Sequence, residues 1–406
     1  MNIYDIYAAV KAETGNENLS FTDFVKEYLT YTSSDLESQV TLQTSINRSL
    51  MASVSILAGF KESMTSSKLS TYSGSGVIID VDTATGDMIV MTNCHVVYST
   101  KASKISGQDG YTDNVYVWTY GSEYSDSGRL KASVIAASKT YDVALLKVTG
   151  GETGKKCKTA TWIGGEETYL GETVYAIGNA GGDKMSANVG YISKDLQTVT
   201  VNMGTETYKE EFSYQVLRTS APINSGNSGG GLFNAGGELV GLINSKSLEK
   251  DDSGNVLTGV GFALTASSTK RVVRRMLDEY DGYETHGFKQ VNHHIVLNEE
   301  DNGYCTGLNE QGYAEIREDA VVISAFSGKY SGKIKSGDKI TNVKITRSVG
   351  GVEKVVEDVE IKRIHNFNDV MLSVVPNDKV VISVMHGNTT EDVEVTFTEN
   401  DFTKKQ

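Results

Sequence analysis

The sequence predicts a mainly β protein, with a helical segment at its N-terminus and a mixed α and β region at its C-terminus. Between residues 46 and 266, short apolar runs alternate with turns rich in Gly, Asp, Asn and Ser, a pattern typical of a β-sandwich or barrel. The chain has 41 Gly and only 2 Pro, and glycine supplies the positive φ values of tight β-turns. Its 406 residues suffice for two or three domains.

Three regions follow one another along the chain. Residues 1–45 predict an N-terminal helical segment, because apolar residues recur there at helical spacing. Residues 46–285 predict the β-rich domain, which ends in an amphipathic helix at 267–281, capped by Ser267 or Ser268 and stopped by Gly282. Residues 286–406 predict a second domain, with five strands and a short helix at 366–374.

The composition is that of a globular protein, with 39% hydrophobic and 22% charged residues. The net charge is −14, so nucleic acid and anionic membranes would on average repel the chain, and we expect neither as a partner. No Cys and His spacing suits zinc, so we expect no metal and no cofactor. The cysteines are too few for a disulfide framework: Cys94, Cys157 and Cys305.

No targeting or membrane segment is predicted. The first fifteen or so residues lack a basic stretch followed by an apolar core, so they do not predict a signal peptide. The longest apolar stretch nearby, residues 50–60, is too short to span a bilayer. These observations leave a cytoplasmic location open.

His95 is the first candidate for catalysis. It is the one histidine of the predicted β-rich domain, since the other five lie beyond residue 285. Histidine exchanges protons near neutral pH, which suits a general base. The alternative for an isolated histidine between Cys94 and Val96 is a packed core residue.

Ser228 lies in the sequence SGNSGGGLF, with glycines on both sides. Such glycines permit a tight turn that exposes a hydroxyl and directs backbone N–H groups to one point. The amides of Gly226 and Ser228 would then form an oxyanion hole. The alternative is an ordinary Gly-rich loop.

Asp142 begins the apolar strand DVALLKV. Alone, it would be a turn residue at the start of a strand. With His95 and Ser228 it completes the set of side chains that a catalytic triad needs, in which the carboxylate orients the imidazole. Coincidence of all three segments is improbable, so together they predict a triad.

Three segments, TNCHVV, YDVALLKV and GNSGGGLFNAGGELVGLIN, resemble the catalytic segments of trypsin-like serine proteases of the HtrA family. SGSGVIID, LGETVYAIGNAGG and GVGFAL add to the resemblance, which covers about residues 46–281. It implies a chymotrypsin-like double β-barrel with the triad in the cleft between the barrels. By the match, His95 is the general base, Asp142 the orienting acid and Ser228 the nucleophile of an endopeptidase that cleaves unfolded or misfolded proteins.

The resemblance also implies a specificity pocket. Pro222, six residues before Ser228, would lie at its base, where no acidic residue stands to bind Lys or Arg. An uncharged pocket predicts cleavage after small or medium apolar residues, although Lys246 could reach the rim. The pocket wall would come from Ile243, Asn244, Ser245 and Gly261.

The C-terminal region resembles the latter part of a PDZ domain, in the stretches SGKIKSGDKITNVKI and IHNFNDVMLSVVPNDKVVISVMHG. PDZ domains bind peptide C-termini as an added strand, so peptide C-termini are candidate partners beside protein or peptide substrates. The segment HGFKQV, His286–Val291, falls where the carboxylate loop belongs but lacks its Gly-rich signature. We expect a chain that ends near residue 283 to fold and to keep triad chemistry on short peptides.

Other functions stay open at this point. A non-catalytic scaffold or chaperone could use the same two domains. Gly226–Gly230 also satisfies the Gly-x-Ser-x-Gly pattern of lipases, but the order His, Asp, Ser contradicts that fold. The family resemblance implies an extracytoplasmic or cell-envelope location and allows a homo-oligomer, although residues 1–45 show no match to a trimerisation segment.

Overall fold

The computed structural model describes residues 10–12, 42–63, 68–107, 109–164, 168–202, 211–244, 259–280, 285–298, 303–309 and 312–405. Most of the predicted N-terminal helical segment lies outside these ranges. In its described parts, residues 10–12 are helical, and residues 42–50 form helix α1, which leads into the first barrel.

The first half of the β-rich region is a barrel of six antiparallel strands. The strands are β1 (Ser53–Lys61), β2 (Leu69–Val81), β3 (Met88–Thr92), β4 (Asn114–Thr119), β5 (Leu130–Ser138) and β6 (Val143–Val148). Their order is β5-β4-β1-β2-β3-β6, and β5 also pairs with β6, which closes the sheet.

The second half is another barrel. Its strands are β7 (Thr161–Trp162), β8 (Thr173–Gly178), β9 (Ser186–Asn202), β10 (Glu211–Thr219), β11 (Gly231–Asn234), β12 (Glu238–Ile243) and β13 (Gly261–Thr265). The order is β11-β8-β9-β10-β13-β12-β7, and pairing of β11 with β12 closes the sheet while β7 lies parallel to β12 at one edge. The predicted mainly β architecture is confirmed.

The described helices are few and mostly short. Besides α1 and residues 10–12, they are α2 (Cys94–Val97), α3 (Gly151–Gly154), α4 (Ala266–Glu279), α5 (Ser327–Tyr330) and α6 (Ile364–Met371), with 3₁₀ turns at Ala102–Lys104, Ala180–Gly182 and Glu399–Asp401. None of these helices is long and apolar enough to cross a membrane.

Helix α4 differs from its prediction at both ends. It is capped by Thr265, whose hydroxyl accepts from Ser268 N–H at 3.4 Å, and not by Ser267 or Ser268. The reason is that β13 runs directly into the helix, so Thr265 is the last residue with extended backbone. The helix ends at Glu279, and its predicted apolar stripe is buried at Val272, Val273 and Met276.

The C-terminal region is an α+β domain built on a four-stranded antiparallel sheet. The order is β21 (Val352–Glu360), β20 (Lys339–Val349), β22 (Lys379–His386) and β23 (Thr389–Thr396). Helix α6 buries Phe367, Val370 and Met371 in the core of this domain. Three short pairs complete it: β15 (Phe288–Val291) with β24 (Phe402–Lys405), β16 (Ile295–Leu297) with β19 (Val322–Ala325), and β17 (Tyr304–Leu308) with β18 (Ala314–Arg317).

The C-terminal domain and the barrels are in contact. A two-residue strand, β14 (Thr285–His286), lies parallel to β5 of the first barrel, and the ring of Phe288 is fully buried within the same hydrophobic cluster as the barrel residues. On the second barrel, Arg363 Nη1 lies 2.6 Å from Asp195 Oδ2. The predicted domain boundary at residues 285 and 286 therefore falls within a region of contact.

Candidate active site

The structure brings His95, Asp142 and Ser228 together between the two barrels. His95 lies on α2, directly after β3; Asp142 ends the turn between β5 and β6; Ser228 precedes β11. His95 Nδ1 is 2.7 Å from Asp142 Oδ2, and His95 Nε2 is 2.9 Å from Ser228 Oγ. Both distances are those of hydrogen bonds, so a proton can pass between Ser228 and His95.

The Asp142 carboxylate is almost completely buried, at 1% exposure. Besides His95 Nδ1, it accepts from His95 N–H at Oδ1 and from Asn244 Nδ2 at Oδ2, both at 2.9 Å. A buried carboxylate is costly unless donors surround it. These donors therefore both stabilise the anion and fix its position beside the imidazole.

The loop before Ser228 has the conformation that the glycines were expected to permit. Gly226 has a φ of +97°, and a side chain there would place its Cβ 2.2 Å from Asn179 O. Gly181 N–H donates to Ser225 O at 2.6 Å. Since the N–H and the preceding carbonyl point in opposite directions in a trans peptide, Gly226 N–H points away from Gly181.

Ser75, in the SGSGVIID segment, is a residue that the sequence reasoning missed. Its Oγ donates to Gly226 O and accepts from Asn179 N–H, both at 2.8 Å. Its own N–H donates to Ser228 O at 2.8 Å. One fully buried serine thus connects β2 with both loops beside Ser228.

Four of the five predicted pocket residues lie in the described part of the chain. Pro222 is exposed. Asn244 directs its side chain to Asp142, and the side chain of Ile243 packs in the core of the second barrel. Gly261 contacts Ile223, whose Cγ1 lies 2.3 Å from the position that a Cβ on Gly261 would take. Ser245 lies outside the described residues.

Pro222 and Asn244 have different surroundings. Pro222 follows the buried Ala221 and is itself exposed, and the next side chain, Ile223, lies against Gly261. Asn244 follows β12, where its backbone N–H pairs with Phe262 O and its amide reaches the buried carboxylate. Neither long-range contact has a signal in the local sequence.

The remaining histidines and cysteines do not form a second centre in the described part of the chain. No group of three or more His, Cys, Asp or Glu residues there could hold a metal ion. Cys94, beside the candidate base, is buried, and its Sγ lies 3.9 Å from the hydroxyl of Tyr111.

Comparison with known proteins agrees with this geometry. Residues 74–242 match the family described as trypsin-like peptidase domain. The chain is 31% identical over 227 residues to the serine protease Do-like HtrA of Bacillus subtilis (strain 168). The match covers 55% of this chain and 44% of that protein. It is 29% identical over 281 residues to the serine protease Do-like HtrA of Lactobacillus helveticus. The match covers 68% of this chain and 60% of that protein.

A third relative is the periplasmic serine endoprotease DegP of Escherichia coli (strain K12), 28% identical over 205 residues, or 50% of this chain and 36% of that protein. The chain spans less than two thirds of the length of each of these relatives. The matched residues include His95, Asp142 and Ser228 within the range 74–242. Residues 74–242 therefore match a trypsin-like peptidase domain, and the chain is similar to HtrA and DegP serine proteases.

Proposed function

We propose that this protein is a serine endopeptidase in which His95, Asp142 and Ser228 form the catalytic triad. The observation that carries the proposal is the pair of hydrogen bonds that joins Asp142 to His95 and His95 to Ser228, at 2.7 and 2.9 Å. The three residues lie in a matching trypsin-like domain. A scaffold without catalysis would not need this alignment.

In the proposed reaction, Ser228 Oγ attacks the carbonyl carbon of the scissile peptide bond while His95 Nε2 takes the hydroxyl proton. Asp142 accepts from His95 Nδ1–H, which holds the ring in the required tautomer and stabilises the imidazolium. His95 then gives the proton to the leaving amine as the C–N bond breaks. Water releases the acyl group by the same steps, and Ser228 regains its proton.

The oxyanion of the tetrahedral intermediate is bound by the amides of Gly226 and Ser228. Contacts on both sides of Gly226 hold its peptide groups, since Ser225 O accepts from Gly181 and Gly226 O accepts from Ser75. Donors that are fixed before the reaction cost no reorganisation when charge develops. The contacts with Gly181 and Ser75 therefore contribute to catalysis without touching substrate.

Substrates are unfolded or misfolded proteins, cleaved after small or medium apolar residues. Ile223 is part-buried against Gly261, which we assign to the pocket wall, and its side chain supplies no charge. A hydrophobic pocket separates side chains that differ by one methylene by about 10–200-fold.

The remaining assignments follow the relatives. We place the N-terminal segment at residues 1–45, the peptidase domain at 46–285 and a PDZ-like domain at 286–406, whose groove binds peptide C-termini. One relative is named as a periplasmic enzyme, which supports an extracytoplasmic location. A homo-oligomer fits the family.

The first prediction tests catalysis. The full chain should hydrolyse casein and short fluorogenic peptides, and Ser228→Ala should reduce the rate by several orders of magnitude, because about 10⁴-fold or more is lost with a triad member. Peptides that differ only at the residue before the cleaved bond should rank Val and Ala above Phe. Circular dichroism checks that Ser228→Ala is folded.

Equal rates in wild type and Ser228→Ala would contradict the assignment. A chain that prevents aggregation of an unfolded protein without cleaving it would support the second candidate, a chaperone or scaffold. The C-terminal α+β domain is the feature that favours this alternative, because its strands β15 and β16 each belong to a two-stranded sheet, β15 with β24 and β16 with β19.

A further inference from the structure

The turn that carries Asp142 is held in an unusual conformation. Asp142 has a φ of +49°, a left-handed value that residues with a Cβ rarely adopt and that neighbouring contacts must maintain. From the second barrel, Tyr214 donates its hydroxyl to Lys139 O at 3.0 Å. Asn93 Nδ2 donates to Asp142 O at 2.9 Å.

A segment at the start of the C-terminal domain also packs against this turn. Gly287 N–H donates to Ala137 O at 2.6 Å. The rings of Phe288 and Tyr141 are stacked, with centroids 5.6 Å apart and planes at 28°. Tyr141 also donates its hydroxyl to Gln290 Oε1 at 2.9 Å. Tyr141 is the residue directly before Asp142 in the chain.

The same segment is fixed to helix α4. Lys289 N–H donates to both carboxylate oxygens of Glu279, at 2.9 and 3.2 Å. Lys289 O accepts from Arg275 Nη2 at 3.1 Å, and Arg275 and Glu279 form an ion pair at 2.8 Å. On its other edge β15 pairs with β24. Phe288 is thus held in place from several directions and can act as a rigid support.

We propose that the segment 285–290 positions Asp142 through Tyr141, so that Tyr141, Phe288 and Gln290 are positioning residues for the triad. This inference rests on the proposed function, because it concerns the geometry of the His95–Asp142 pair. It also limits the expectation that a chain ending near residue 283 keeps triad chemistry on short peptides: that chain lacks Phe288 and Gln290, so its rate should be lower than that of the full chain.

The physical basis is the short connection between Tyr141 and the carboxylate. If Phe288 is removed, the Tyr141 ring loses its stacking partner and the turn can relax toward common backbone angles. A displacement of about 1 Å at a catalytic group costs on the order of 10²-fold in rate. The loss should appear in kcat, because no residue of the segment contacts a bound peptide in this scheme.

The test compares Phe288→Ala with Phe326→Ala in the full chain. Phe326 lies in the same domain but is 61% exposed, so it is the matched control. With a short fluorogenic peptide, Phe288→Ala should lose about 10–100-fold in kcat with KM within about two-fold, while Phe326→Ala should match wild type. Phe288→Tyr, which keeps a ring, should restore most of the rate.

A second pair of variants tests the same contact with less risk of unfolding the protein. Tyr141→Phe and Gln290→Ala each remove one partner of the same hydrogen bond, so each should lower kcat by a few-fold, and the double variant should show little further loss. Titration with a fluorophosphonate counts the reactive Ser228 sites in each preparation. Additive losses in the double variant, or equal kcat for Phe288→Ala and Phe326→Ala, would overturn the inference.

A second measurement does not depend on hydrolysis. The proton between His95 Nδ1 and Asp142 gives a low-field signal in proton NMR, in wild type and in Ser228→Ala. The signal should persist in Phe326→Ala and shift or broaden in Phe288→Ala. A chain that hydrolyses nothing would refute the proposed function, whereas an unchanged signal in Phe288→Ala would refute the positioning role alone.

Discussion

At the scale of single residues, Ser75 is the side chain whose removal tests the oxyanion loop. Its hydroxyl binds Gly226 O and Asn179 N–H, so Ser75→Ala frees the peptide group next to a proposed oxyanion donor. We expect kcat on a short peptide to fall about 10–100-fold, less than the 10²–10³-fold cost of losing a whole donor, with little change in KM. Ser55→Ala is the control, because Ser55 pairs with Ser75 across the strands and is equally buried. Equal kcat values for the two variants would contradict the role of Ser75.

Residues that act within their own sequence segment could be predicted, and those that act across the fold could not. Ser228 and Gly226 were found because a nucleophile turn needs glycines next to the serine. Asn244 was assigned to the pocket, since nothing near it in sequence shows that its amide reaches Asp142. Ile223 was missed because its effect depends on contact with Gly261, far away in the chain.

At the scale of elements, His293, just before β16, makes the stability of the folded chain depend on pH. Burial and, to a lesser extent, the charge of His294 lower the pKa of His293 to about 4, and its Nδ1 accepts from Ile295 N–H at 3.2 Å. The unfolded chain binds a proton near pH 6.5, so unfolding takes up a proton between about pH 6.5 and 4. The free energy of unfolding should therefore decrease as the pH is lowered through that window, by at most about 3 kcal/mol.

The measurement is urea unfolding of the full chain between pH 7 and 4. His293→Gln should lose less stability on acidification than wild type, because the unfolded glutamine takes up no proton. His294→Gln should keep most of the wild-type slope, since burial is the larger cause of the lowered pKa. Identical slopes for His293→Gln and wild type would show that His293 does not titrate as described.

Most elements of the fold could be predicted, but not their junctions. The alternating and apolar runs identified the barrel strands because strand burial follows local pattern. The cap of α4 at Thr265 depends on where β13 ends. Pairing of β14 with β5 joins residues more than a hundred positions apart, and no local pattern in a two-residue strand records its partner.

At the scale of the whole molecule, ion pairs hold the C-terminal domain against α4. Arg271 is 4% exposed, and its Nη2 and Nε lie 3.1 and 3.3 Å from the two oxygens of Glu357. Ser373 also donates to Glu357, at 2.7 Å. This carboxylate compensates a buried guanidinium at the junction of two domains, so its loss leaves a charge without its main partner.

Glu357→Ala should therefore destabilise the junction by about 3 kcal/mol, the order found when one partner of a buried pair is removed. Calorimetry of the full chain should show a lower unfolding temperature for the C-terminal domain and a wider separation of the transitions. Arg271→Met with Glu357→Leu should recover much of the loss, because an apolar pair leaves no buried charge. Asp358→Ala is the control: its pair with Lys344 is exposed and worth about 0–1 kcal/mol. If Glu357→Ala and Asp358→Ala change the unfolding temperature equally, the Arg271–Glu357 pair does not hold the domains together.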